Sequence, residues 1–135
     1  MKFKEKINTW IFDLDNTLYS ADSGIFQQVH RLMGEFISNN LNMEISEAKK
    51  LQSKYYKQHG TTLRGMMDNH GVDPDYFLDE VHRLDYSIVG PNQLLNDELE
   101  KLEGRKIIYT NANEKHVLDV LKRINLSDYF DEIFD

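Results

Sequence analysis

Two stretches of the sequence combine residue types able to do chemistry: Asp13-Leu14-Asp15-Asn16-Thr17, and Thr110-Asn111 far along the chain. Side chains two apart in an extended segment face the same way, so Asp13 and Asp15 lean together if strand geometry persists for one more residue. Two close carboxylates with oxygen-rich neighbours suit Mg2+, a hard cation held by one or two carboxylates, water and substrate phosphate. In such a site Asp13 is placed to attack phosphorus as nucleophile, while Asp15 can protonate the leaving oxygen and later deprotonate water. Thr110 and Asn111, with backbone N–H groups of residues 14–17, can receive the phosphoryl oxygens, because phosphoryl transfer is catalysed mainly by positioning and charge neutralisation.

Plainer readings stand beside these. The first stretch can be an acidic turn that caps the next helix. A calcium loop starting at Asp13 would need glycine where Leu18 stands, glutamate where Gly24 stands, and a preceding helix. Thr110-Asn111 can cap a helix as well as contact phosphate, and both can hold, since an oxygen-lined helix start is also an anion site. Arg64 is either a solvated helix charge or a substrate anchor. His59, His70 and His82 lack tight metal-ligand spacing. Tyr55, Met66, Met67 and Phe77 read as core rather than as a base-stacking platform.

The elements that must carry these residues follow from hydrophobic periodicity. Ile7-Asn8-Thr9-Trp10-Ile11-Phe12 is a buried strand that runs into the acidic loop. Ile25, Phe26, Val29, Leu32, Met33, Phe36 and Ile37 then form a stripe of helical repeat, which Ser20, Asp22 or Ser23 can cap. A second helix starts at Ser46 and ends near Gly60; a third is capped by Thr61 or Thr62 and closes at Gly71; a fourth opens on Asp73-Pro74. After Gly90-Pro91, Leu94, Leu95, Leu99 and Leu102 mark a fifth. A strand over 105–109 leads into Thr110-Asn111, a helix from Asn113 to Asn125 follows, and Glu132-Ile133-Phe134 is a last strand. Strand, polar loop and helix in succession is the grammar of a parallel α/β sheet, whose reactive loops gather at the carboxyl ends of the strands. The roughly 90 residues between Thr17 and Thr110 exceed what a crossover needs, so a helical subdomain is inserted after the first strand.

At 135 residues and 40% hydrophobic composition, the chain can bury the core of one folding unit. Its net charge of −7 lacks a basic stripe, which disfavours nucleic acid as a partner. With no cysteine, disulfides, thiolate metal sites and cysteine nucleophiles are excluded. No apolar run approaches the ~20 residues of a membrane span, and the N-terminus lacks the apolar stretch of a leader. The expectation is a cytoplasmic protein with no membrane partner.

Phe12-Asp13-Leu14-Asp15-Asn16-Thr17-Leu18-Tyr19 resembles the first motif of the haloacid dehalogenase superfamily, and Ile107-Ile108-Tyr109-Thr110-Asn111 its second. The resemblance implies a Rossmann-like parallel sheet core over residues 1–19 and 91–135, about three strands of it present, with an all-helical cap over 20–90. It also implies Mg2+ held by Asp13 and Asp15, an aspartyl-phosphate intermediate, and hydrolysis of a small phosphorylated metabolite. The stretch from Tyr56 to Gly65, together with Asp15-Asn16-Thr17-Leu18-Tyr19 and Tyr109-Thr110-Asn111-Ala112 with His116, is similar to the pyrimidine 5′-nucleotidase branch. Pyrimidine nucleoside 5′-monophosphates are therefore the expected substrates, with Arg64 a cap anchor and sugar phosphates or phosphoglycolate the alternatives. A dehalogenase fits less well, because Asp15 supplies a second carboxylate that dehalogenation does not require. The family's third and fourth motifs lie beyond the third strand, so residues 1–135 are expected to be part of a longer protein, of doubtful activity alone. A non-catalytic chain that binds a partner, or itself, through an open edge at residues 7–12 is the competing expectation.

Overall fold

The computed structural model describes residues 6 and 8–135. Ile7, expected to begin the first strand, and residues 1–5, part of the expected leader-free N-terminus, lie outside the described residues.

The chain divides into two compact units. One comprises the described residues of Met1–Ile25 with Tyr86–Asp135, the other Phe26–Asp85. The unit that holds the sheet thus includes residues 20–25 and 86–90. Residues 86–89 are tied to α6 (Glu114–Arg123), where Arg123 donates Nε to the carbonyls of Tyr86 and Val89 at 3.2 and 2.8 Å and Nη2 to that of Ser87 at 3.2 Å.

The sheet unit holds β1 (Thr9–Phe12), β2 (Arg105–Tyr109) and β3 (Glu132–Phe134), all parallel, in the order β1-β2-β3. Phe12 pairs with Ile108 and Ile108 with Ile133, so β1 and β2 end side by side. This is the expected mixed α/β architecture. α5 (Gln93–Lys101) precedes β2 and buries Leu99, although Leu94, expected on its inner face, is 72% exposed. β2 begins after Gly104, whose φ of 112° is a glycine conformation; a Cβ there would stand 2.9 Å from the Asn8 carbonyl oxygen. That close approach lets Arg105 N–H reach the same carbonyl at 2.8 Å and starts the β1–β2 pairing.

The helical unit is built from α1 (Ile25–Leu41, all but its first residue), α2 (Ile45–His59), α3 (Thr62–His70) and α4 (Pro74–Val81). Thr61 caps α3 by accepting from Arg64 N–H, and Asp73 caps α4 by accepting from Tyr76 N–H ahead of Pro74. α2 starts at Ile45 rather than Ser46, behind a Glu44 that makes no side-chain cap. Phe36, Ile37, Ala48, Tyr55, Met66, Phe77 and Val81 close into one core, each large apolar side chain stabilising the unit by about 1.5–3 kcal/mol. The core reading of Tyr55, Met66 and Phe77 holds, whereas Phe26 on the α1 stripe is half exposed. The Gln28 side chain donates to the Asp85 carbonyl and accepts from Asp85 N–H, which ties the first and last turns of this unit together.

Candidate active site

Asp13 follows β1 and Thr110 follows β2, so parallel pairing brings the two chemical stretches to one end of the sheet. Past Asp13 the chain turns sharply: the Leu14 carbonyl accepts from Thr17 N–H at 3.2 Å and Leu18 N–H at 3.0 Å, and Asn16 adopts φ 58°. Asparagine tolerates that left-handed conformation better than most residues. Leu14 and Leu18 are buried and anchor the turn, which directs Asp13, Asn16 and Thr17 outward. The Asp13 carboxylate accepts from Leu14 N–H at 2.8 Å and stays exposed.

Asp15 is held far more firmly. Its Oδ1 accepts from the Tyr19 hydroxyl at 2.5 Å, one turn along, and lies 2.8 Å from Nε2 of His116, 101 residues away. His116 is 1% exposed, and its Nδ1 is 2.8 Å from the Tyr86 hydroxyl. Oδ1 of Asp15, when it carries no proton, can only accept, which puts a hydrogen on Nε2, leaves Nδ1 the acceptor in a singly protonated ring, and makes Tyr86 the donor. Burial pushes the Tyr86 hydroxyl well above the usual tyrosine range, with the negative charges of Asp119 and Asp15 adding to it. Tyr19 is pushed up likewise, first by burial and then by its hydrogen bond and proximity to Asp15. Both phenols keep their protons and serve as donors.

Thr110 is buried, with its N–H on the Phe134 carbonyl at 3.0 Å and its Oγ1 accepting from Ala112 N–H at 3.2 Å. Asn111 stands exposed on the same turn. Capping of α6 falls to other residues: Asn113 Oδ1 accepts from His116 N–H at 3.1 Å and Asp135 accepts from Glu114 N–H at 2.9 Å. Arg64 lies in the helical unit, 62% exposed, with Nε 3.1 Å from the carboxylate of Asp68 one turn on. Sequence reasoning named Tyr19 and His116 as motif residues without giving them this part, and it missed Tyr86. The four-residue step from Asp15 to Tyr19 and the placement of His116 in the first turn of a helix after β2 were legible signals. Tyr86, in an irregular segment, carried none.

The donor set suits Mg2+, being anionic and all oxygen at the strand ends. Among the described residues no three His, Cys, Asp or Glu side chains converge on one point. An ion here would rest on Asp13 and Asp15 with water and substrate oxygens, the way Mg2+ is commonly bound. Among the described residues, too, no helix is long and apolar enough to cross a membrane.

Phosphate metabolism protein 8 of Saccharomyces cerevisiae is 26% identical over 136 residues, covering 92% of this chain and 42% of the yeast protein. The chain thus spans less than half the length of that relative. The sequence pattern of haloacid dehalogenase-like hydrolases matches residues 10–135, β1 and the acidic turn through β3. With both chemical stretches inside that match, the chain belongs to the haloacid dehalogenase-like hydrolase family.

Proposed function

We propose that this chain carries the nucleophile and the general acid–base of a phosphomonoester hydrolase. The observation that carries the reading is the pair of unlike carboxylates at the end of β1: Asp13 exposed, Asp15 clasped by Tyr19 and His116. Environments that differ in this way suit two carboxyl groups to different tasks. Asp13 attacks phosphorus to form an aspartyl phosphate; Asp15 gives its proton to the leaving oxygen and afterwards takes one from water. The Thr110 hydroxyl and Asn111 bind phosphoryl oxygens. Bound Mg2+ would neutralise charge between Asp13 and the phosphoryl group. The yeast relative's name points to phosphate metabolism, which favours phosphoryl over haloalkane chemistry.

The proposed substrates are pyrimidine nucleoside 5′-monophosphates, with Arg64 as an anchor for them. This finer reading draws on the cap and motif residues that resemble the nucleotidase branch. Phosphate release from uridine and cytidine monophosphates, from sugar phosphates and from phosphoglycolate, each with added Mg2+, tests it. Pyrimidine nucleotides should be turned over fastest, and Arg64→Ala should raise KM for them more than for an aryl phosphate. Preference for a sugar phosphate would reassign the substrate. Asp13→Asn should abolish turnover of every ester, because an amide can neither attack phosphorus nor neutralise a cation; retained activity would remove Asp13 as nucleophile.

A further inference from the structure

We infer that His116, backed by Tyr86, is a positioning residue that fixes the Asp15 carboxylate for proton transfer. The inference rests on the phosphomonoesterase reading and assigns a part to a buried imidazole that the chemistry itself does not use.

Asp15 sits on a tight turn next to a left-handed Asn16, and a carboxylate so placed has several rotamers open to it. General acid–base catalysis requires that carboxylate within hydrogen-bond reach of the leaving oxygen, and small misplacements are costly. Tyr19 supplies one restraint, but from the same turn, so it moves with Asp15. His116 supplies an independent one. It belongs to α6, where Asn113 accepts from its N–H, and its ring is 1% exposed, which leaves it little room to turn. Its Nδ1 takes the Tyr86 hydroxyl at 2.8 Å, and the Tyr86 backbone carbonyl is in turn clasped by Arg123 from the far end of the same helix. The ring is thereby pinned at both nitrogens, with the Nε2 hydrogen aimed at Oδ1 of Asp15. The imidazole gives one hydrogen bond and receives one; it passes no proton to substrate.

The test uses kcat/KM across aryl and alkyl phosphates of graded leaving-group basicity, with Mg2+, for the wild-type, His116→Ala, His116→Gln and Tyr86→Phe proteins. Loss of Asp15 positioning should cost His116→Ala tenfold or more, up to about 10²–10⁴, on alkyl esters that need the proton, and little on dinitrophenyl phosphate, which does not. Glutamine, whose amide N–H can stand in for Nε2–H, should restore a large part of the loss, and Tyr86→Phe should show a smaller loss of the same pattern. An equal loss on all esters, or glutamine no better than alanine, overturns the proposal. A wild-type protein that hydrolyses none of the esters would speak against turnover by residues 1–135 and not against the position of Asp15. The 15N spectrum of the His116 ring then decides the positioning separately: Nε2 protonated, Nδ1 bare, and the Nε2 proton shifted in Asp15→Asn. An Nδ1–H ring, or indifference to Asp15→Asn, overturns it, and because the spectrum needs only the wild-type protein and Asp15→Asn, a His116→Ala protein that fails to fold cannot shield it.

Discussion

Tyr86 shows how a single side chain is committed to one protonation state. Its hydroxyl is taken out of water and faces the charges of Asp119 and Asp15, so the folded protein holds its proton more tightly than the unfolded chain, whose tyrosine titrates at 10.0. The stability linked to that proton is present in full below pH 10.0 and is lost as pH rises through and beyond it. Urea midpoints measured from pH 8 to pH 11 should therefore be level at first and then fall, with a shallower fall in Tyr86→Phe. Equal slopes in the two proteins would mean that Tyr86 titrates normally. The candidate pair Asp13 and Asp15 was legible in the sequence because two carboxylates after an apolar strand have few structural uses. Their inequality was not, since it depends on His116, which is remote in sequence.

Among the elements, the α2–α3 contact is the tightest in the helical unit. A Cβ on Gly65 would stand 2.4 Å from Cβ and Cγ of Tyr55, both belonging to the core, so this glycine is present for close approach and not for a turn. Gly65→Ala should destabilise the protein by about 1–3 kcal/mol through overpacking, read from denaturant midpoints; a neutral effect would show that the two helices can separate without loss. At α6 the cap is the exposed weakness. Asn113→Ala removes the acceptor for His116 N–H and should cost about 1 kcal/mol of stability, measurable in the same way. Since His116 sits in that first turn, the same change should lower turnover of alkyl phosphates, while unaltered turnover would show that the cap does not hold the imidazole. Helix limits at Thr61, Gly71, Asp73 and Asn113 could be read from the sequence because capping is local chemistry. The short 3-10 helices at Ala21–Ser23 and Tyr86–Ile88 could not, as three residues carry no period.

For the whole molecule, the sheet is where association should arise. β1 is an edge strand with β2 as its partner among the described residues, and the register sets Ile11, Tyr109 and Phe134 on one face, 69%, 66% and 50% exposed. An open edge strand flanked by such an exposed apolar face is a surface for pairing with another chain. The 135-residue chain should therefore sediment as a concentration-dependent mixture, and Ile11→Lys, a charge of the sort that blunts edges, should shift it toward monomer. A monomer at every concentration would dismiss the edge as an interface. By itself the sequence determined the strand and helix order, the parallel α/β class, the acidic pair and most helix caps, because each depends on residues within a few positions of one another. Only the tertiary structure decided that Asp135 reaches the first turn of α6 and that Asp15, His116 and Tyr86 form one hydrogen-bonded line. Those contacts join residues tens of positions apart, and no local propensity encodes them: they exist because parallel pairing of β1 with β2 carries α6 back to the turn after β1.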